Sequence, residues 1–513
     1  MSSSRKTSMK NLRKNVFFPP LVLIICTILF SQINNDLFSS SITNLNTWIL
    51  ENVGFLFSWS SFFFLVLLLI TYFSPIAKVK IGGKNAQPLL SKSKWFAIST
   101  CTTIATGILF WGCAEPLFHY ANPPISSISP VSGASMSFSM STMFMHWSFT
   151  PYAIYCLAGL VFALSFYNLK RKFSVASLIP LKEGSTNKMV KSIIDVICLY
   201  SIVLGMSASL GAGIYSITGG LDEIFNIPKS NLLIGCVGAF IIASFILSAI
   251  SGLQKGIKWL STINIVGFIL LAIFIFFVSY PVDILKIAFS GLTEYFVTFP
   301  QRSLNMGSEI TESWTYDWSI FYWANWFAWA PIAALFLGKI SRGYTVRQYI
   351  NYNLILPSIF AIVWISIFSG ATLHANLISE NLLFETMTLK GEESVMYGML
   401  HKIGFSKITI PISLVLIYIS YVTAADSNIS AMSAMSEKEN NNPTQEASIY
   451  IKIIWGLIIG SLTYIMLSTK GLDGIRILSL LGGFPALFII IFASISLVRF
   501  LFNKKLLRPK EYQ

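Results

Sequence analysis

Runs of about 20 mostly apolar residues recur along the whole chain and are separated by shorter polar connections. Each run is long enough to cross the roughly 30 Å of bilayer hydrocarbon as an α-helix. The predicted spans have approximate edges at 16–32, 53–73, 95–118, 142–167, 193–217, 232–254, 259–280, 316–338, 351–373, 408–427, 449–468 and 477–501. The pattern predicts an all-α polytopic membrane protein with twelve transmembrane helices and both termini on one side.

Composition and charge agree with this reading. The 513 residues are 54% hydrophobic and 11% charged, whereas soluble domains are about 25% charged. By the predicted spans, 28 of the 36 Lys and Arg residues flank the side of the termini. Basic residues are retained in the cytoplasm, so we expect cytoplasmic termini and a location in the cell's inner membrane. This asymmetry accounts for the net charge of +14 without a nucleic-acid partner, because no soluble basic and aromatic face is present.

Two predicted spans carry signals of interrupted helices. Span three contains TTIATGILFWGCAEP (102–116), and span eight ends an aromatic stripe at Ala330-Pro331. Interrupted helices at corresponding positions of two repeats mark the substrate site of many secondary transporters. The predicted organisation is an N-terminal segment at 1–15, a transporter domain at 16–501 with repeats at about 95–280 and 316–501, and a tail at 502–513. The spaced apolar residues of 285–299 predict an amphipathic helix along the outer interface.

The aromatic stripe of span eight is the most informative local pattern. At 100° per residue, five side chains fall within an arc of roughly 100°, and Trp323 lies off it. These five are Trp318, Tyr322, Asn325, Trp326 and Trp329. Span four adds Trp147, Tyr152 and Tyr155 over roughly 140°. Two facing aromatic surfaces suit a quaternary ammonium ion, because each desolvated ring contributes about 0.5 to 2 kcal/mol.

Other function classes fit the residues less well. A single tryptophan would be explained by interface anchoring or packing, but the stripe extends over three turns. A membrane enzyme needs a paired nucleophile and base or a metal cluster, and His146 has no such partner close to it in the sequence. A channel is expected to have rings of charge or carbonyl filters. The candidate counterions are Glu115, Asp195, Asp317 and Asp426, although a solvated, capping or structural role explains each of them as well.

Several stretches resemble the betaine/choline/carnitine transporter family. They are GILFWGCAEPLFHYANPP (107–124), HWSFTPYAIYCLAGL (146–160), KGIKWLSTIN (255–264), FYWANWFAWAPIAALFLGKISRG (321–343) and YVTAADS (421–427). The resemblance implies a sodium-symporter-like fold of two inverted five-helix repeats preceded by two helices, often as a homotrimer. It also implies alternating-access import of glycine betaine, choline or carnitine. The implied substrate-binding residues are Trp147, Tyr152, Tyr155, Trp326 and Trp329, with Trp323 as a gate or packing residue.

This chain departs from the family's aromatic pattern at two positions. Family members usually have tryptophan where this chain has Asn325, and often where it has Tyr152. An amide both donates and accepts hydrogen bonds, so one hypothesis is that a substrate hydroxyl, carboxylate or smaller head group reaches Asn325. The alternative is that Asn325 bonds to another helix. The same aromatic site would also hold a sulfonium or other zwitterionic osmolyte.

The resemblance further implies a coupling ion and no other cofactor. It locates a sodium site between spans three and ten, at Cys101, Ile104, Ser420 and Thr423. One serine ligand of the family is replaced by Ala424, and Ser420 is the candidate substitute. The sodium-independent branch carries an arginine in span seven, whereas this chain has no Lys or Arg between Lys258 and Lys286. We therefore expect sodium coupling, with proton-coupled choline uptake as the alternative.

Overall fold

Helices account for the regular structure of the protein. A computed structural model describes residues 12–103, 107–180, 188–251, 254–306, 309–437 and 448–503. Within these ranges the backbone forms α-helices with short 3-10 and π turns, and the only bridges between extended residues are Leu12 with Glu437 and Lys80 with Thr345. The prediction of an all-α polytopic membrane protein is confirmed.

The α-helices are numbered in chain order. The first nine are α1 (Lys14–Ile33), α2 (Asn35–Phe73), α3 (Lys92–Thr103), α4 (Ile108–Ala121), α5 (Gly133–Trp147), α6 (Phe149–Ala163), α7 (Lys188–Phe225), α8 (Asn231–Ser251) and α9 (Gln254–Val278). The next five are α10 (Pro281–Leu304), α11 (Glu312–Trp314), α12 (Phe321–Lys339), α13 (Val346–Ile350) and α14 (Leu356–Ile378). The last five are α15 (Leu382–Lys390), α16 (Val395–Ile403), α17 (Ser406–Ser436), α18 (Ile449–Lys470) and α19 (Leu472–Phe502).

Eleven helical segments among the described residues are long and apolar enough to cross a membrane. They correspond to eleven of the twelve predicted spans. The remaining one, span three, consists of α3 and α4 on either side of 104–106, which lie outside the described residues. Neither helix alone reaches the length that a crossing requires, so span three differs from the others.

Span four is interrupted, which the sequence did not predict. We expected one helix over 142–167, but α5 ends at Trp147 and α6 begins at Phe149. The Ser148 between them has φ −114° and ψ −114°, outside the helical region. Pro151 explains why a new helix starts here, because a proline is tolerated in the first turn, where its missing N–H has no helical partner.

The interruption expected in span eight at Pro331 is wrong. Helix α12 continues through Pro331 to Lys339. A proline removes one helical hydrogen bond, but packed neighbours in a bundle stabilise such a helix. The irregular part lies earlier, as a π-helical turn at Thr315–Ile320 that is continuous with α12.

Helix α12 lies at the centre of the bundle and packs against α6, α7 and α19. Glycines allow the closest of these approaches. A Cβ atom on Gly483 of α19 would lie 2.2 Å from the carbonyl oxygen of Ala324, and one on Gly205 of α7 would lie 3.1 Å from the Cβ of Ala328. The backbone around Trp326 is therefore held tightly by two neighbouring helices.

The predicted amphipathic segment is found as α10, which is not among the membrane-crossing helices. One of its faces packs on α5, where a Cβ on Gly291 would lie 2.2 Å from that of Met140. The buried Arg302 donates hydrogen bonds to Ser141 at 2.7 Å and Thr142 at 2.5 Å. Helix α10 thus supports the helix that ends at Trp147.

Candidate functional site

Four of the predicted aromatic residues meet around Trp326. The centroid of its ring system lies 5.3 Å from that of Tyr155, 5.8 Å from that of Trp147 and 6.2 Å from that of Tyr152. All four side chains are buried. Trp147 ends α5, the two tyrosines lie on α6 and Trp326 on α12, so the group joins the two sides of the Ser148 interruption to the central helix. We call these four residues the aromatic box.

The other predicted site residues of span eight have different neighbours. Trp323 packs edge-on against the His146 ring, with centroids 5.7 Å apart. Trp329 lies next to Gly205 on α7, where an added Cβ would be 3.3 Å from its Nε1. Asn325 accepts a hydrogen bond from the Ser479 hydroxyl of α19 at 3.4 Å. The stripe thus has neighbours on several helices, and Trp326 is the member that contacts all three of Trp147, Tyr152 and Tyr155.

The indole N–H of Trp326 is a buried donor with no hydrogen-bond partner among the described residues. A buried donor without an acceptor costs about 1 to 3 kcal/mol. An indole nitrogen can only donate. The box therefore combines ring faces, which attract a cation, with one donor available to a hydroxyl or carboxylate oxygen.

The rings of the box touch one another in this conformation. Trp326 makes edge-to-face contacts with Trp147 and Tyr155, with interplanar angles of 83° and 71°. A cation held between two ring faces lies within about 6 Å of each centroid. Ring centroids already 5.3 to 5.8 Å apart leave no room between them for a methylated ammonium group. Binding between these rings requires the three helices to move apart.

A buried polar cluster lies directly beside the box. The carboxylate of Glu115 accepts hydrogen bonds on both oxygens, and its side chain is fully buried, as are those of His119 and His146. Oε1 lies 2.7 Å from His146 Nδ1 and 3.3 Å from His119 Nε2. Oε2 accepts from Trp147 Nε1 at 3.3 Å and from the Tyr322 hydroxyl. We call these residues the Glu115 cluster; Trp147 belongs to both it and the box.

This cluster is not evident from the sequence. Glu115 and His119 are one helical turn apart, which is a usable signal, but His146 and Tyr322 join them from distant parts of the chain. An ionisable residue inside a membrane protein is rare and is usually paired. The partner could not be identified because it lies on another helix.

A cavity of about 130 Å³ reaches Glu115 from the side predicted to be extracellular. Its lining combines aromatic and charged side chains, namely Trp111, Phe118, Asp317, Trp318, Glu392 and Arg476, together with Ala114 and Glu115. The Arg476 guanidinium lies 5.0 Å from the Trp318 ring centroid and donates to Asp473 at 3.1 Å. A polar cavity of this size holds water, so water can lie beside Glu115.

The residues suggested for sodium are only partly described. Ile104 lies outside the described residues, and so does the side chain of Cys101. Thr423 donates to the Ile419 carbonyl of its own helix at 2.8 Å. Ser420 accepts from Asn264 Nδ2 of α9 at 2.7 Å. The other amide atom, Asn264 Oδ1, is buried without a partner among the described residues.

Comparisons with known proteins identify what kind of protein carries this site. The model of the betaine/carnitine/choline family transporters matches residues 15–506. The chain is 27% identical over 490 residues to an ectoine/hydroxyectoine transporter of Virgibacillus pantothenticus, covering 96% of this chain and 97% of that protein. It is 28% identical to the glycine betaine transporter OpuD of Bacillus subtilis, covering 96% and 95%. It is 25% identical to the osmo-dependent choline transporter BetT2 of Acinetobacter baylyi, covering 93% and 70%.

These relatives are transporters and not enzymes. The family match, the membrane-crossing helices and the resemblance of the signature stretches all point to a multi-pass membrane protein that carries a small solute. The protein belongs to the betaine/carnitine/choline transporter family.

Proposed function

We propose that this protein imports a methylated onium osmolyte, such as glycine betaine, choline or carnitine, by secondary active transport with alternating access. The observation that carries the proposal is the packing of Trp147, Tyr152 and Tyr155 around Trp326 at the interruption of span four. Rings from three separate helices converge there. Small changes in helix position therefore open or close the site.

The box binds the two ends of such a solute differently. The ring faces take the methylated cation, which cannot donate a conventional N–H hydrogen bond, and each contributes about 0.5 to 2 kcal/mol when desolvated. The indole N–H of Trp326 takes an acceptor oxygen at the other end, which removes the cost of its unpaired burial. This division suits a zwitterion or a hydroxylated cation better than a bare alkylammonium ion.

A related substrate class is a sulfonium or a cyclic zwitterionic osmolyte. Two relatives are named for ectoine transport, the V. pantothenticus protein and the betaine/ectoine transporter LcoP of Corynebacterium glutamicum. The amide of Asn325 can donate to or accept from such a head group. Its hydrogen bond with Ser479 supports the competing view that Asn325 holds α12 against α19. Replacing Asn325 with Trp separates the two, because only the first view requires substrate preference to change.

Sodium is the coupling ion that we propose, bound near Ser420 and Thr423 together with backbone around Cys101 and Ile104. Sodium binds oxygen ligands, and both hydroxyls keep acceptor lone pairs beside the hydrogen bonds they make. Replacement of a family serine by Ala424 removes one oxygen. The unpaired Oδ1 of Asn264 lies on the amide that contacts Ser420 and is a candidate replacement. Proton-coupled choline uptake is the alternative.

We also propose cytoplasmic termini in the inner membrane and a homotrimer. The topology rests on the distribution of Lys and Arg, and the trimer on the family resemblance alone. The two five-helix repeats at about 95–280 and 316–501 belong to the same proposal. Labelling of single cysteines in the terminal segments from either side of intact cells tests the topology.

The decisive experiment is uptake of labelled glycine betaine, choline, carnitine and ectoine into liposomes, with sodium and proton gradients imposed separately. We expect accumulation of at least one solute with sodium and its loss in the Trp326→Leu variant. Trp259→Leu is the control, because Trp259 is 66% exposed and lies outside the box. Absence of both uptake and binding for all four solutes would overturn the proposal.

A further inference from the structure

The Glu115 cluster concentrates hydrogen-bonding side chains around one buried carboxylate. A carboxylate in the membrane interior is costly unless its charge is compensated. Here four donor side chains surround it, and two of them also touch the substrate site. Trp147 belongs to the aromatic box, and Tyr322 packs against Trp147 with ring centroids 5.2 Å apart. A change of charge at Glu115 therefore alters the electrostatic potential at the aromatic box, because only the indole of Trp147 separates Glu115 from a cation bound there.

The hydrogen-bond pattern fixes the proton of His119. Its Nδ1 receives the indole N–H of Trp314 at 3.3 Å. An indole nitrogen only donates, so Nδ1 must accept and the ring proton is on Nε2. That Nε2–H donates to Glu115 Oε1 at 3.3 Å. His119 is neutral in this arrangement and cannot take another proton without losing its bond from Trp314.

His146 has no such restriction. Its Nδ1 lies 2.7 Å from Glu115 Oε1, and its Nε2 lies 3.0 Å from the Ser319 hydroxyl. A hydroxyl can donate or accept. With Nδ1–H donating to the carboxylate, Nε2 either accepts from Ser319 or carries a second proton and donates to Ser319. The cluster can therefore hold one additional proton on the Nε2 lone pair without any movement of heavy atoms.

Other ionisable groups lie near the cluster. They are His119 on α4, Arg302 on α10 with its neighbour Tyr295, Asp317 and Tyr322 in span eight, Glu392 in the cavity lining, and Arg476 on α19. Arg302 is close enough to act electrostatically on both histidines and opposes a second positive charge. The carboxylate of Glu115 is in direct contact with His146 and favours a positive charge on that ring.

We propose that the Glu115 cluster is a proton-binding site whose proton is released when an onium ion enters the aromatic box. Without the additional proton the cluster carries the negative charge of Glu115, which attracts a cation in the box. With it, Glu115 and His146 form a neutral pair and this attraction is lost. The proton leaves His146 Nε2 and is accepted by solvent water; the cavity beside the cluster is lined by Glu115, which contacts His146 directly, and not by His146 itself. The inference rests on the proposed onium-binding function.

Linkage makes the coupling reciprocal: a proton weakens onium binding by the same factor by which the onium ion weakens proton binding. Coupling of this kind typically changes affinity 5- to 150-fold. We expect onium affinity to fall roughly tenfold as the pH is lowered from 8 to 5, the interval in which histidine ordinarily titrates. The effect is opposite in sign to that of a co-transported proton, which would strengthen substrate binding.

The test uses the purified full-length protein with labelled choline and tetramethylammonium, whose permanent charge does not titrate. Affinity is measured from pH 5 to 8.5, and proton release on binding is followed with a pH-sensitive dye in weakly buffered solution. We expect up to one proton released per bound ion in the wild type. Glu115→Gln and His146→Gln should abolish both the release and the pH dependence of affinity. His401→Gln removes a histidine outside the cluster, paired with Glu223, and is the control that should retain both.

The outcomes separate this inference from the proposed function. Binding and uptake without proton release or pH dependence overturn the inference and leave the function standing. Loss of release in His401→Gln as well as in His146→Gln overturns the assignment of the proton to the Glu115 cluster. If neither Gln variant at 115 or 146 folds, proton release by the wild type still decides the matter. Absence of binding for every onium probe overturns both proposals.

Discussion

The close approach of α19 to α12 predicts a strong effect for Gly483→Ala. The added Cβ would lie 2.2 Å from the Ala324 carbonyl oxygen and 2.6 Å from its Cα. These are backbone atoms of the helix that carries Trp326, so they cannot rotate away. Relief requires the two helices to separate at this point, which moves Trp326 relative to the rest of the box.

The magnitude follows from the distances. Ordinary Cβ contacts begin at about 3.4 Å, so the new methyl group is about 1.2 Å too close. Overpacking of this kind costs about 1 to 3 kcal/mol, and helix propensity returns up to about 1 kcal/mol. The matched control is Gly112→Ala in α4, where the nearest atom to the new Cβ is Ile365 Cδ1 at 3.7 Å. There only the favourable propensity change remains.

Thermal unfolding of both variants in detergent, followed by intrinsic fluorescence, measures the difference. We expect the apparent Tm of Gly483→Ala to lie at least about 3 °C below that of Gly112→Ala. Uptake of the identified substrate should fall in Gly483→Ala and remain near the wild-type value in Gly112→Ala. Equal Tm values together with equal uptake would refute the view that Gly483 is required for helix approach.

Three further changes test the site and its surroundings. Trp326→Phe keeps an aromatic ring but removes the indole N–H. By titration calorimetry, glycine betaine binding should weaken about 5- to 30-fold and tetramethylammonium binding less than threefold. Equal losses of affinity for the two ligands would contradict a donor role for the indole. Asn264→Ala should raise the sodium concentration for half-maximal uptake about tenfold, which corresponds to a loss of about 1.4 kcal/mol of sodium-binding free energy. An unchanged sodium dependence would count against Asn264 as a sodium ligand. Burial raises the pKa of Glu393, and the Lys229 ammonium opposes this shift. Lys229→Met should raise the pKa of Glu393 further. A carboxyl group whose pKa is raised in the folded protein destabilises the fold as the pH rises through that folded pKa, because the buried group must then ionise. The Tm deficit of Lys229→Met should therefore be larger at pH 8 than at pH 5; a constant deficit would exclude this origin.

Much of the fold could be predicted from the sequence because membrane helices need long apolar runs. The run lengths located the crossing helices, and the spaced apolar residues of 285–299 located α10. Helical spacing also grouped Trp147, Tyr152 and Tyr155 on one predicted surface of span four, although the interruption at Ser148 leaves only the two tyrosines on the same helix. Their convergence on Trp326 is long-range, and the family resemblance rather than the spacing indicated it.

Local irregularities were harder to predict because tertiary packing decides them. Pro331 indicated a helix end, yet α12 continues through it among tightly packed neighbours. Ser148 gave no comparable signal, yet the helix is interrupted there. The Glu115 cluster was missed for another reason: its histidine and tyrosine partners come from helices that only the folded bundle brings together.

The interruption at Ser148 has a mechanical consequence. Trp147 lies at the end of α5, which packs on α10. Tyr152 and Tyr155 lie on α6, beyond the interruption, and Trp326 lies on the central helix α12. A tilt of α5 about Ser148 changes the gap between Trp147 and Trp326 while the two tyrosines stay in place. In the proposed function, the width of the aromatic box then depends on the angle between α5 and α6 at Ser148 as well as on the position of α12.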